Sequence, residues 1–121
     1  MNLNKRQPSQ LRRFKFAGRG LLYVIRREVS FRWQLLAALV AIIAGGLFHF
    51  KVWQWLVLWS VCGLVLVAEL FNTAIERLLD LLAPDFKEPV GRIKDILAGA
   101  VLLVAILAVI VGIYLVYSLD Q

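Results

Sequence analysis

Three windows of the chain carry no charge at all: Leu35 to Phe50, Val52 to Ala68, and Ile96 to Leu119. Each approaches or exceeds the ~20 apolar residues that a helix needs to cross a bilayer, the first being the shortest. The second does not stop at Ala68. Leu70, Phe71, Ala74, Ile75, Leu78 and Leu79 continue its apolar surface, and Ala83-Pro84-Asp85 ends it, because proline disfavours helix at the residue before it. Ahead of these windows the pattern is different. From Gln10 to Gln34, Leu11, Phe14, Leu21, Leu22, Val24, Ile25 and Val29 recur at helical spacing among Arg12, Arg13, Lys15, Arg19, Arg26 and Arg27, as in a basic amphipathic helix lying in a membrane interface. The pattern therefore predicts a tail over 1–9, a surface helix over 10–34, and transmembrane helices over 35–50, 52–82 and 96–119. Between the last two, Phe86 to Asp95 reads as a charged loop punctuated by Pro89 and Gly91.

Composition supports this reading. The 121 residues are 61% hydrophobic and 18% charged, too apolar for a small soluble domain, which buries only a modest share of its surface. The expectation is a single-domain, all-α integral membrane protein. Cys62 is the only cysteine and lies in an apolar run, so neither a disulfide nor a thiolate metal site is expected. The first 34 residues show no cleavable signal peptide. A formal charge of +6 bears on orientation rather than on nucleic acid, because the basic residues crowd one end. Nine precede the first span, Arg77, Lys87, Arg92 and Lys94 lie between the second and third, and Lys51 alone separates the first two. The positive-inside rule places the N-terminus and the segment from Arg77 to Asp95 in the cytoplasm.

One stripe interrupts the apolar logic. On a helix, Glu69, Asn72, Thr73, Glu76 and Asp80 fall within roughly 100° of arc. Such a stripe entering a span is costly unless it has a task. Glu69 stands out, with no basic residue within four positions. Glu76 and Asp80 also fit plain interface ion pairs, and Glu28 a pair with Arg27 or Arg32. Carboxylates beside Lys94 and a belt of arginines suit a hard cation such as Mg²⁺ with phosphate oxygens, and the stripe would face the compartment that holds ATP. No Gly-x-x-x-x-Gly-Lys-Ser/Thr loop is present. Three spans enclose a site poorly, which favours an oligomer with grooves between protomers. Intramembrane acids equally fit a small proton-coupled transporter, the alternative class.

Glu69-Leu70-Phe71-Asn72-Thr73-Ala74-Ile75-Glu76-Arg77-Leu78-Leu79-Asp80 resembles the signature Glu-x-x-Asn-Ser/Thr-Ala-Ile-Glu-x-x-x-Asp of the prokaryotic diacylglycerol kinases. The resemblance extends to Glu28 with Phe31-Arg32 and to Lys94-Asp95, covering roughly residues 14 to 118. It implies a homotrimeric, three-span protein of the bacterial cytoplasmic membrane with an N-terminal surface helix. The implied activity is an ATP- and Mg²⁺-dependent lipid kinase that phosphorylates the hydroxyl of diacylglycerol or undecaprenol at the cytoplasmic face. By the same resemblance, Glu69 is the general base, Glu28 and Glu76 hold Mg²⁺ with ATP, Asn72 orients the site, and Lys94 contacts phosphate with Asp95 beside it. Gln34 stands where some members carry an acid, and Lys87 where a histidine is common.

Overall fold

In the computed structural model, which describes residues 9–120, four α-helices follow one another: α1 (Gln10–Arg27), α2 (Val29–Leu47), α3 (Val52–Leu82) and α4 (Lys87–Tyr117). A 3₁₀ turn, Ser118–Asp120, closes the described chain. Helices α2, α3 and α4 are long and apolar enough to cross a membrane. Helix α3 is the central member and packs against both α2 and α4, while α1 packs on α2. The buried apolar core is thin: Val24, Phe31, Leu58, Val65 and Leu115. Most other large apolar side chains, such as Leu102, Leu103, Val109 and Ile113, face outwards. That is the arrangement a lipid solvent permits, since hydrocarbon does not drive such side chains inwards. Of the expected tail, only Ser9 lies within the described residues, and its hydroxyl accepts the Arg12 backbone N–H at 3.4 Å as the N-cap of α1.

Two boundaries differ from the sequence expectation. The surface segment does not run to Gln34; it breaks at Glu28, whose backbone is extended (φ −113°, ψ 109°), and the first span starts at Val29. No glycine or proline announces this elbow. Arg32 makes it instead: its guanidinium Nη1 donates to the carbonyls of Ile25 at 3.2 Å and Arg26 at 3.1 Å. These are orphan acceptors at the C-terminus of α1, where a cation also opposes the helix dipole. The second difference is that α4 begins at Lys87, so most of the expected charged loop is helix. Pro89 occupies the third helical position, where its missing N–H would have had no intrahelical partner.

The α2–α3 turn settles the role of one glycine pair. The Phe50 N–H donates to the Gly45 carbonyl at 3.0 Å and the His49 N–H to the Gly46 carbonyl at 3.3 Å, with His49 left-handed at φ 55°. This is a Schellman ending. A Cβ on Gly45 would lie 2.9 Å from both the Phe50 and Trp55 rings. Gly45 therefore admits this aromatic pair, arranged edge-to-face at 5.6 Å between centroids, and through Trp55 it admits the first turn of the neighbouring helix α3. At the same end, buried Gln54 accepts the Lys51 backbone N–H at 2.7 Å and donates to the Ser118 hydroxyl at 2.8 Å, tying the start of α3 to the end of α4.

Candidate active site

The polar residues collect at the other end of the bundle. Helix α3 rises 1.5 Å per residue, so Glu69 stands about 26 Å along it from Val52, near the limit of a ~30 Å hydrocarbon core. Glu76 lies about 10 Å further out. The same face of α3 is apolar below and polar above: Leu58, Val65, Glu69 and Thr73 are all buried. Glu69 is only 5% exposed, and among the described residues no ion pair or hydrogen bond reaches its carboxylate. A buried carboxyl without a structural partner is a candidate for a functional role rather than a packing one.

One turn beyond, half-buried Asn72 presents an Oδ1 that is shielded from solvent and has no partner. Such an orphan acceptor is uncommon in a native fold. Glu76 is half-buried on the same stripe. The elbow brings Glu28 to this end, where Arg77 of α3 donates from Nη2 to Glu28 Oε1 in a short ion pair. The partner of Glu28 is thus neither Arg27 nor Arg32, the two candidates nearest in sequence. Lys94 of α4 reaches Asp80 of α3 at 2.8 Å, so the plain ion-pair reading of Asp80 is met with Lys94 as its cation. Asp95 is exposed on α4 and takes no ion-pair partner among the described residues.

Below Glu69 an apolar groove of about 290 Å³ runs between α2, α3 and α4. Val65 and Cys62 of α3 line it, facing Ala38 and Gln34 of α2 and Ala108 of α4. Glu69 does not line the groove itself but stands one helix turn beyond Val65 on the same face of α3.

The donors at this end are oxygens: Glu28, Glu76 and the Asn72 amide. Among the described residues no group of three or more His, Cys, Asp or Glu side chains is arranged to hold a metal ion. A site of one or two carboxylates fits a hard cation that arrives with phosphate oxygens, and does not fit one caged by protein alone.

The family model for prokaryotic diacylglycerol kinase matches residues 15–116. The chain belongs to the prokaryotic diacylglycerol kinase family. It is similar to the undecaprenol kinase of Bacillus subtilis (strain 168), with 33% identity over 99 residues, 82% of this chain and 80% of that protein. It is also similar to the diacylglycerol kinase of Synechocystis sp., with 38% identity over 106 residues, 87% of this chain but 61% of that longer protein. The diacylglycerol kinase of Escherichia coli (strain K12) is 31% identical over 103 residues, 85% of this chain and 84% of its own length. Family membership decides between the two classes that the sequence left open: the chain is a membrane lipid kinase, and a kinase implies ATP as the phosphate donor.

Arg77 was not among the candidate site residues read from the sequence. A signal was available. Arg77 is the only basic residue between Lys51 and Lys87, and it sits inside the acidic stripe.

Proposed function

We propose that this protein transfers the γ-phosphate of ATP, with Mg²⁺, to the hydroxyl of a membrane lipid alcohol, diacylglycerol or undecaprenol, at the cytoplasmic face of the bacterial cytoplasmic membrane. The observation that carries this reading is the buried, unpartnered carboxylate of Glu69, one helix turn beyond an apolar groove. A lipid chain lying in that groove would bring its terminal hydroxyl up to the carboxylate. Glu69 is the general base that takes the hydroxyl proton, a role that requires its carboxylate within hydrogen-bond reach of the alcohol. Lys94, fastened to α3 through Asp80, offers its charge to the phosphates, with Asp95 beside it. Asn72 orients the group above Glu69. Glu28 and Glu76 would hold Mg²⁺, which when bound neutralises the charge on the transferring phosphoryl group.

The rest of the chain serves that arrangement. Helix α1 carries exposed Leu11, Phe14, Phe16, Leu21 and Leu22 among its arginines and lies as an amphipathic helix on the cytoplasmic leaflet. The N-terminus is cytoplasmic by the distribution of basic residues. The outward apolar faces of α2 and α4 accommodate lipid and the neighbouring protomers of a homotrimer.

The test is a lipid panel. Purified protein in mixed micelles with radiolabelled ATP and Mg²⁺ is offered diacylglycerol and undecaprenol separately. Label passing into phosphatidate or undecaprenyl phosphate is the expected result, and the faster of the two identifies the preferred alcohol. No labelled lipid from either would sink the reading.

A further inference from the structure

The ion pair between Arg77 and Glu28 joins two parts of the chain that are 49 residues apart in sequence. It is also the one polar contact that the Glu28 side chain makes among the described residues. Glu28 needs such a contact. It sits on an extended elbow between two helices, so no helix surface fixes where its carboxylate points. The neighbouring Arg32 spends its guanidinium on the carbonyls of Ile25 and Arg26; it fixes the backbone of the elbow and leaves the carboxylate alone. The contact uses Oε1 only, and Oε2 accepts no hydrogen bond from any described residue. Arg77 is directly next to Glu76 on α3, so one helix turn supplies both a carboxylate and the clamp on a second carboxylate from another element.

We propose that Arg77 is a positioning residue for the cation-binding carboxylates: it holds Glu28 by Oε1 against the turn of α3 that carries Glu76, and leaves Oε2 for the divalent cation that accompanies the nucleotide. The inference rests on the reading of Glu28 as a metal ligand. Ligating carboxylates are commonly held by a second partner in this way, and losing that partner typically costs 10–100-fold in metal affinity or activity. Arginine suits the task because its planar, permanently charged fork directs a carboxylate as well as attracting it. Half of the Arg77 side chain is exposed, against 24% of Glu28. Solvent therefore screens the guanidinium from an arriving cation while the shielded carboxylate stays available.

The experiment measures Mn²⁺ binding by electron paramagnetic resonance, with a non-hydrolysable ATP analogue, on the full chain in mixed micelles. The proteins are wild type, Arg77→Ala, Arg77→Lys, Glu28→Gln and the double variant Arg77→Ala/Glu28→Gln. Arg77→Ala should weaken Mn²⁺ binding about 10–100-fold and raise the KM for MgATP in parallel, with the KM for the lipid alcohol unmoved. Arg77→Lys, which keeps the charge and loses the fork, should recover part of the loss, and it carries the same test if the alanine variant is too unstable to purify. In the Glu28→Gln background the Arg77 substitution should add little, since both act on one ligand. Unchanged or tighter Mn²⁺ binding in Arg77→Ala, with Glu28→Gln clearly weakened, overturns the positioning role while sparing the Glu28 assignment. Unchanged binding in Glu28→Gln overturns the assignment itself, and the positioning role with it.

Discussion

The two ends of the bundle are fastened by opposite kinds of chemistry. At the α2–α3 turn the fasteners are neutral: the Schellman hydrogen bonds, the half-buried Phe50–Trp55 contact over Gly45, and the buried Gln54 bridge to Ser118. At the other end the fasteners between elements are charged and partly exposed, Glu28 with Arg77 and Asp80 with Lys94. They leave acceptors over: the Glu69 carboxylate, the Asn72 Oδ1 and one oxygen of Glu28. Neutral buried bonds are costly to break and rigid once made. Solvent-screened ion pairs contribute little to stability and exchange partners cheaply. The contrast separates an end that holds the helices together from an end that keeps valences available for a substrate.

The largest effect expected from this division is at Glu69. Glu69→Gln keeps the shape and the hydrogen-bonding capacity but removes the base. Turnover should fall by about 10²–10⁴, the usual contribution of a general base, while affinity for MgATP changes by no more than a few-fold. Lipid phosphorylation and nucleotide binding measured on the same preparation give both numbers. Loss of nucleotide binding together with turnover would move Glu69 from the lipid hydroxyl to the metal, and the division by depth along α3 would fail.

Next in size is a substitution at the holding end. Gly45→Ala places a methyl 2.9 Å from two aromatic rings, closer than packed carbons tolerate. Overpacking of this kind costs about 1–3 kcal/mol. Thermal unfolding in detergent should shift downwards, whereas the activity of the protein that remains folded should match the wild type. A fall in specific activity without a fall in stability would mean that the two ends are coupled, and that the turn does more than hold.

How far the chain could be read before folding follows the same line. The three spans were legible because charge-free runs of that length have few other uses in so short a chain, and the Glu69 stripe was legible because carboxylates are conspicuous there. The elbow at Glu28 was not. Apolar residues keep helical spacing straight through it, and what breaks the helix is Arg32 reaching back to two carbonyls, a contact with no signature in a list of residues. The start of α4 at Lys87 was missed because Pro89 and Gly91 signal loop in isolation, although proline in a first turn costs a helix nothing. Which groups close over Gly45, Phe50 and Trp55, depends on how the α2–α3 turn folds back and is not written in the sequence. The pairings of Glu28 with Arg77 and Asp80 with Lys94 are products of helix docking, so they appear only in three dimensions.

The smallest expected effect separates the ends most sharply. Asp80→Asn removes the charge that meets Lys94 at 2.8 Å, in a pair whose side chains are 55% and 36% exposed. An ion pair this accessible contributes at most about 1 kcal/mol to stability, so the unfolding temperature should hardly move. The KM for MgATP should nonetheless rise several-fold, because Lys94 loses the tether that keeps its ammonium over the site rather than in solvent. A change in KM without a change in stability is what a functional clasp produces and what a structural clasp cannot. The reverse result, a stability loss with KM unchanged, would make Asp80–Lys94 the charged counterpart of Gln54–Ser118. The Glu28–Arg77 pair and the spare acceptors of Glu69, Asn72 and Glu28 would then remain to distinguish the two ends.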